Sequence, residues 1–165
     1  MIPRLKKILY ATRLAEDTNG FAYAVDLAKR YDAGIIILHS IEPGHSLSYA
    51  GASVEAIMQS AKKQDQEASL EEVKTRITNV CEETEALLKT PCKSLVSKIL
   101  IPFGNPVEEI LKAADEEGCD IIILGTHRKG FFKQALLRSV AQAVLERTTI
   151  PVLFVPLRLA EANIE

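Results

Sequence analysis

A basic turn near the end of the chain holds the residues best suited to binding an anion. Segment 121–130 reads IIILGTHRKG, so an apolar run passes through Gly125 into a cluster of basic residues, and Arg138 and Ser139 follow eight residues later. Arginine donates paired hydrogen bonds to phosphate and carboxylate groups. Backbone N–H groups at the start of a helix also attract anions. These residue types predict a site for a phosphate-bearing or other anionic ligand.

Five apolar segments alternate with four helical ones and predict the elements that hold this turn. Short apolar runs are typical of buried parallel strands, and apolar residues that recur every three or four positions indicate helices. Asn105 and Pro106 match the N-cap and first position of a helix, and Gly118 matches its end. The predicted strands are 5–11, 34–41, 94–103, 120–126 and 150–156. The first predicted helix follows a cap at Glu16, Asp17 or Thr18 and ends within 31–34, and the later predicted helices are 54–89, 106–117 and 134–147.

The alternation predicts an α/β three-layer sandwich around one five-stranded parallel sheet. The turns after parallel strands lie at the same end of a sheet, and ligands bind there, where the strand order reverses. A chain of 165 residues is long enough for a single core. We expect one domain over 1–157, followed by a tail at 158–165.

The composition of the chain limits the kinds of partner and the cellular compartment that we expect for it. The formal net charge is −2 and aromatic residues make up only 5%, so neither a basic field nor stacking platforms for nucleic acid are expected. No segment suits a signal peptide or a membrane span. Cys81, Cys92 and Cys119 form no CxxC pair, which favours reduced thiols in a cytoplasmic protein. The acidic run 115–117 is interpreted as a solvated face, and no metal is expected.

The chain resembles the universal stress proteins over nearly its whole length. The matching pieces are KKILYAT, IIILHSIEP, FGNPVEEILKAADEEGCDIIILGTHRKG and LLRSVAQAVLERTTIPVLFVP. This resemblance implies the strand order 3-2-1-4-5, as in adenine nucleotide alpha hydrolase-like folds, with a crevice between the turns after strands one and four. It also implies a stress-response binding or regulatory module rather than an efficient enzyme.

The resemblance also implies which residues would contact a nucleotide. In ATP-binding members the last turn reads glycine, two residues, glycine, nine residues, glycine, then serine or threonine. Here the first glycine and the serine match, but Arg128 and Arg138 stand at the other two glycines, and Arg13 stands where many relatives have an acidic residue. The candidate nucleotide or anion contacts are Ala11, Thr12, Arg13, Ser40, Leu124, Gly125, Thr126, His127, Arg128, Arg138, Ser139 and Val140.

The three arginines leave three interpretations open. Their side chains fill the space of the phosphates and prevent ATP binding, or they rebuild an anion site together with His127, or they point to solvent and pair locally. Ser40 stands where relatives carry a small apolar residue beside the base, whereas the preceding His39 is interpreted as structural. No cofactor is certain, and ATP or AMP is the candidate ligand.

Partners and activity complete the expectations. The fifth strand would be an open apolar edge at 152–155, which predicts a homodimer, and relatives commonly pair there. The polar helical segment 54–69 is the alternative place for a protein partner. A nucleotide hydrolase or ATP-dependent switch is the competing function, and the missing glycines and acid count against it.

Overall fold

Ten elements alternate along the chain in the computed structural model, which describes residues 4–12, 18–42, 55–127 and 140–157. They are β1 (Lys7–Ala11), α1 (Thr18–Tyr31), β2 (Gly34–Leu38), α2 (Glu55–Leu88), a 3₁₀ turn (Lys93–Leu95), β3 (Val96–Leu100), α3 (Pro106–Glu116), β4 (Ile121–His127), α4 (Val140–Arg147) and β5 (Val152–Leu157).

The five strands form one parallel sheet in the order β3-β2-β1-β4-β5. This confirms the predicted fold class and strand order. β1 lies in the middle, with Ala11 paired to Leu38 of β2 on one side and to Leu124 of β4 on the other. The chain winds one way from β1 to β3 and then returns to β4, so the order reverses between β1 and β4.

Some strand boundaries differ from the prediction. β3 was expected over 94–103, but the 3₁₀ turn precedes it and pairing ends at Leu100. β2 was expected to reach Ile41, which instead makes an isolated bridge to Phe103 beyond both strands. An apolar run shows which residues are buried, but strand pairing stops where neighbouring chains diverge, and composition does not record that point.

Two apolar clusters cover the two faces of the sheet. On one face α1 and α2 pack over the sheet, and the rings of Tyr10 and Phe21 lie 5.5 Å apart between their centroids. On the other face α3 and α4 cover Leu9, Leu124 and their neighbours. β1 is central and buried on both faces from Ile8 to Ala11, which explains why its sequence is apolar after Lys7.

Apolar residues recur at helical spacing along α2, which predicts one stripe facing the core at Leu70, Val73, Ile77, Val80 and Leu87. This prediction is only partly right. Val73, Ile77 and Val80 are buried as expected, but Leu87 is 61% exposed, so its assignment to the core was wrong. Thr84 is fully buried on the helix instead. Periodicity predicts which face of a helix points inward, but it does not show how far along the helix the neighbouring layer extends.

Three helices end in the same way. A left-handed residue follows each, directly after α1 and α2 at Asp32 (φ 51°) and Lys89 (φ 51°), and two residues after α3 at Gly118 (φ 62°). The next amide then donates back to the carbonyl five residues earlier, as Ala33 does to Ala28 at 2.9 Å. The sequence predicted the glycine ending. It did not predict the other two, because aspartate and lysine reach this conformation only at a cost.

Candidate ligand site

The pairing of β1 with β4 ends at the carboxyl edge of the sheet, where the sequence predicts a ligand crevice. The last described pair between these strands joins Ala11 to Leu124. β4 nevertheless continues along β5 through Gly125 to His127, three residues beyond that pair. The two strands therefore part at the point where the sheet order reverses, which is where α/β proteins hold their ligands.

The end of β1 is fixed from the β2 side. Thr12 is only 7% exposed, and its N–H donates to the carbonyl of Leu38 at 3.0 Å. Its carbonyl accepts a hydrogen bond from Nδ1 of His39 at 2.8 Å. The imidazole is half-buried and bridges the ends of two strands. The prediction of a structural role for His39 agrees with this contact.

Ser40 connects the end of β2 to the turn after β3. Its hydroxyl donates to the carbonyl of Gly104 at 2.7 Å, and the Gly104 N–H donates to the carbonyl of Ile41 at 3.0 Å. The hydroxyl proton of Ser40 is thus used within the protein. Ser40 can offer a ligand only its oxygen lone pairs and its Cβ.

The turn after β3 begins α3 as the sequence predicted. Asn105 is the N-cap, and its side-chain oxygen accepts from the N–H groups of Val107 and Glu108 at 3.0 and 3.3 Å. Glu108 and Glu109 occupy the first turn of the helix. Carboxylates at this position compensate the positive end of the helix dipole, and their negative charge disfavours the binding of a free anion there.

An ion pair joins the two helices on this face of the sheet. Both carboxylate oxygens of Glu108 accept from the guanidinium of Arg147, and the longer of the two distances is 3.1 Å. The hydrogen bond from Arg147 lowers the pKa of Glu108 below its usual value. Both side chains are more than half exposed, so this pair fixes geometry more than it adds stability.

Four of the twelve predicted contacts are neighbours in the structure. Ala11, Thr12, Leu124 and Gly125 lie side by side on β1 and β4. Ala11 and Leu124 are 7% and 4% exposed, so their side chains belong mainly to the core. Ser40 lies one strand away, and Val140 begins α4 and packs against the apolar cluster on that face.

The other six predicted contacts lie at the end of β4 or outside the described residues. Thr126 and His127 are described as the last residues of β4 through their backbone pairing with Pro156 and Leu157. Arg13, Arg128, Arg138 and Ser139 lie outside the described residues. What sequence reasoning missed is the pair of contacts made by His39 and Ser40. The only sign of these contacts in the sequence was that two polar residues directly follow an apolar strand.

Two other kinds of site find no support in the described part of the chain. Within residues 4–12, 18–42, 55–127 and 140–157, no group of three or more His, Cys, Asp or Glu residues could hold a metal ion. No helix among the same residues is long and apolar enough to cross a membrane. Cys81, Cys92 and Cys119 are all free and buried.

A five-stranded parallel sheet of this order, covered by helices on both faces, defines a doubly wound α/β protein. Residues 4–156 match the universal stress protein family. Universal stress protein MJ0577 of Methanocaldococcus jannaschii is 32% identical over 158 residues, covering 91% of this chain and 94% of the relative. This protein belongs to the universal stress protein family.

Solved structures agree with the sequence match. The structure of MJ0577 aligns with 96% of this chain and 100% of its own, with a TM-score of 0.65 and 30% identity. A universal stress protein in complex with cAMP covers 94% of this chain and 100% of its own, with a TM-score of 0.60 at 18% identity. One from Archaeoglobus fulgidus in complex with dAMP covers 92% and 98%, with a TM-score of 0.51 at 17% identity. At 18% and 17% identity, the last two matches show a shared fold.

Proposed function

We propose that this protein is a cytoplasmic stress-response module that acts by binding and regulation rather than by catalysis. Its ligand is a small phosphate-bearing anion in the crevice between β1 and β4. One observation carries the proposal. Where the sheet order reverses, β4 continues for three residues beyond its last pair with β1. The three free cysteines suit a reducing compartment.

Two features support an anion as the ligand. The amide groups at the carboxyl ends of parallel strands and at the following helix starts favour negative charge. The sequence also supplies Arg13, Arg128 and Arg138 to the turns after β1 and β4. Adenine nucleotides are the first class to test, since two proteins of this fold were solved with cAMP and dAMP.

The same arginines argue against the ordinary mode of ATP binding. Glycines let backbone N–H groups approach phosphate oxygens without a Cβ in the way, and arginines replace two of the three glycines in this motif. We therefore propose that phosphate is held by side-chain charge rather than by a glycine cradle. A nucleotide switch with weak or no hydrolysis is the second candidate, favoured by Gly125 and Ser139, which match the motif.

Thermal unfolding with and without Mg-ATP, AMP or inorganic phosphate tests the proposal. A ligand at ~100 times its Kd adds roughly 2.7 kcal/mol to the free energy of unfolding. We expect stabilisation by phosphate as well as by AMP, and its loss in Arg128→Ala. No shift with any of the three probes would contradict the proposal.

A triple variant separates a rebuilt anion site from simple occlusion. Arg13→Asp, Arg128→Gly and Arg138→Gly together restore the residues that ATP-binding members carry. If the arginines only block the crevice, this variant gains Mg-ATP binding that the natural protein lacks. If they hold the anion, it loses stabilisation by phosphate.

We further propose a homodimer through β5. This strand is one edge of the sheet, and Pro156 lies within it, as proline does in edge strands. Light scattering should give twice the chain mass of 18.2 kDa, and Val152→Lys should give the monomer because charge on an edge disfavours pairing. Ile99→Lys on the opposite edge strand is the matched control and should leave the mass unchanged.

A further inference from the structure

A side chain from the residue after β2 holds the carbonyl of Thr12, the residue that follows β1. The carbonyl oxygen accepts from Nδ1 of His39 at 2.8 Å. A carbonyl oxygen can only accept, so the proton of this bond lies on Nδ1, and the neutral ring is the Nδ1–H tautomer.

His39 also fastens the neighbouring strand. Its backbone N–H donates to the carbonyl of Leu100, the last residue of β3, at 3.0 Å. One residue therefore joins the carboxyl ends of β1, β2 and β3. The ring is half-buried and its partner Thr12 is 7% exposed, so water competes poorly for this hydrogen bond.

We propose that His39 is a positioning residue for the crevice between β1 and β4. Holding the Thr12 carbonyl fixes the direction of this oxygen at the end of β1, one residue beyond the pair of Ala11 with Leu124. A peptide plane that is free to rotate would present different polar atoms to the ligand. This inference rests on the proposed binding of a phosphate-bearing anion, and it identifies what keeps that site in its binding shape.

Three substitutions distinguish the hydrogen bond from the bulk of the ring. His39→Asn places an amide donor near the position of Nδ1, His39→Gln places one near Nε2, and His39→Leu keeps volume without a donor. Isothermal titration with Mg-ATP, AMP and inorganic phosphate measures the Kd of each variant. We expect Asn to stay within about threefold of the natural protein and Gln and Leu to bind roughly tenfold more weakly, the loss of about one hydrogen bond.

A second readout does not depend on any ligand. Nitrogen NMR of the imidazole should show the Nδ1–H tautomer. The amide of Thr12, which donates to Leu38, should exchange with solvent faster in His39→Leu and His39→Gln but not in His39→Asn, because the end of β1 opens more often once its carbonyl is released. Lys98→Met, which removes the contact with Glu117 elsewhere on the sheet, is the control and should change neither exchange at Thr12 nor the Kd.

The affinities and the NMR readouts separate the positioning role from the proposed function. Equal affinity in all variants would overturn the positioning role while leaving the proposed function in place, and so would an Asn variant as weak as Leu. If the natural protein binds none of the probes, the proposed function fails. In that case the positioning role falls as well if NMR shows the Nε2–H tautomer or equal exchange at Thr12 in all variants. Protection at Thr12 that only Asn retains would support it.

Discussion

The two ends of the sheet are built from different contacts. At the amino end Asp120 accepts from the backbone N–H groups of Lys6 and Lys7, both at 2.8 Å. Lys7 donates to the carbonyl of Glu117 at 2.8 Å, and Lys98 donates to its carboxylate at 2.7 Å. At the carboxyl end the described contacts among Thr12, His39, Ser40 and Gly104 are hydrogen bonds to backbone carbonyls.

The amino end also contains the helix endings and the buried thiols. The left-handed residues at 32, 89 and 118 precede strands there, and Glu85 accepts from the N–H groups of Cys92 and Lys93 at the start of the 3₁₀ turn. These amide hydrogen bonds, first that of Cys92, lower the pKa of Glu85. Charged groups at this end are engaged by the fold itself. The difference teaches that charged side chains fasten the amino end, whereas an imidazole, a hydroxyl and backbone carbonyls fasten the described part of the carboxyl end.

The largest expected effect concerns the cysteines of the amino end. Burial raises the pKa of both Cys81 and Cys119 to about 11. The thiolate is the reactive form, and raising the pKa from 9.0 to about 11 lowers the thiolate fraction at neutral pH about 100-fold. A disulfide reagent should therefore modify these thiols about 100-fold more slowly in the folded protein than in the unfolded chain. Labelling followed by mass spectrometry with and without urea measures this. Rapid labelling of Cys81 or Cys119 in the folded protein would contradict a tightly packed amino end.

The same thiols set a direction for stability against pH. Their pKa in the folded state exceeds the ordinary value of 9.0, so the folded state holds these protons more tightly. The contribution of these two thiols to the free energy of unfolding is therefore fully present below about pH 9. It falls as the pH rises towards 11, because the unfolded chain loses these protons at a lower pH than the folded protein does. Urea unfolding at a series of alkaline pH values checks this, and the double variant Cys81→Ala and Cys119→Ala should show a shallower fall.

Removing the carboxylate of Asp120 should weaken the amino end next. Asp120→Ala leaves two strand amides without their acceptor, and we expect a loss of ~1–3 kcal/mol in the free energy of unfolding. Asp120→Asn keeps an acceptor oxygen and should lose less. Ligand affinity of the folded protein should stay unchanged in both, because the crevice lies at the opposite end. A large change in Kd would break the separation of the two ends.

Ser40 and Ser97 form a matched pair across the two ends of β2 and β3. Ser40 bonds to Gly104 at 2.7 Å at the carboxyl end, and Ser97 bonds to Ile35 at 3.2 Å at the amino end. Ser40→Ala should cost about 1 kcal/mol of unfolding free energy. Ser97→Ala should cost less, since Ser97 is exposed. Urea unfolding compares them, and only Ser40→Ala should alter ligand Kd. The reverse order would show that the turn after β3 is not fastened through Ser40.

The smallest expected effect is a gain at the end of α2. Lys89 has φ 51°, a conformation that costs a side chain with a Cβ about 1 kcal/mol relative to glycine. Lys89→Gly should raise the free energy of unfolding by a few tenths to about 1 kcal/mol, since glycine's greater freedom when unfolded offsets part of the gain. Gly118→Ala, at φ 62°, should do the opposite. A loss of stability in Lys89→Gly would mean that the lysine side chain contributes contacts of its own.

Much of the fold follows from local residue patterns. The buried strands were predicted because parallel strands covered on both faces are continuously apolar, as in Ile35 to Leu38. The start of α3 was predicted because Asn105 and Pro106 have strong positional preferences. The place of the crevice followed from the strand order that the family resemblance implied.

The sequence by itself determined the fold class, because that depends on apolar periodicity and on turn residues close together in the chain, and it determined the family through motifs that resemble the universal stress proteins. Only the tertiary structure decided that His39 holds Thr12 and that Ser40 holds Gly104, since 27 and 64 residues separate the partners. It also decided that Leu87 is exposed and that Asp32 and Lys89 are left-handed. A hydrogen bond between distant residues depends on how strands and turns approach one another, and no local pattern encodes that approach.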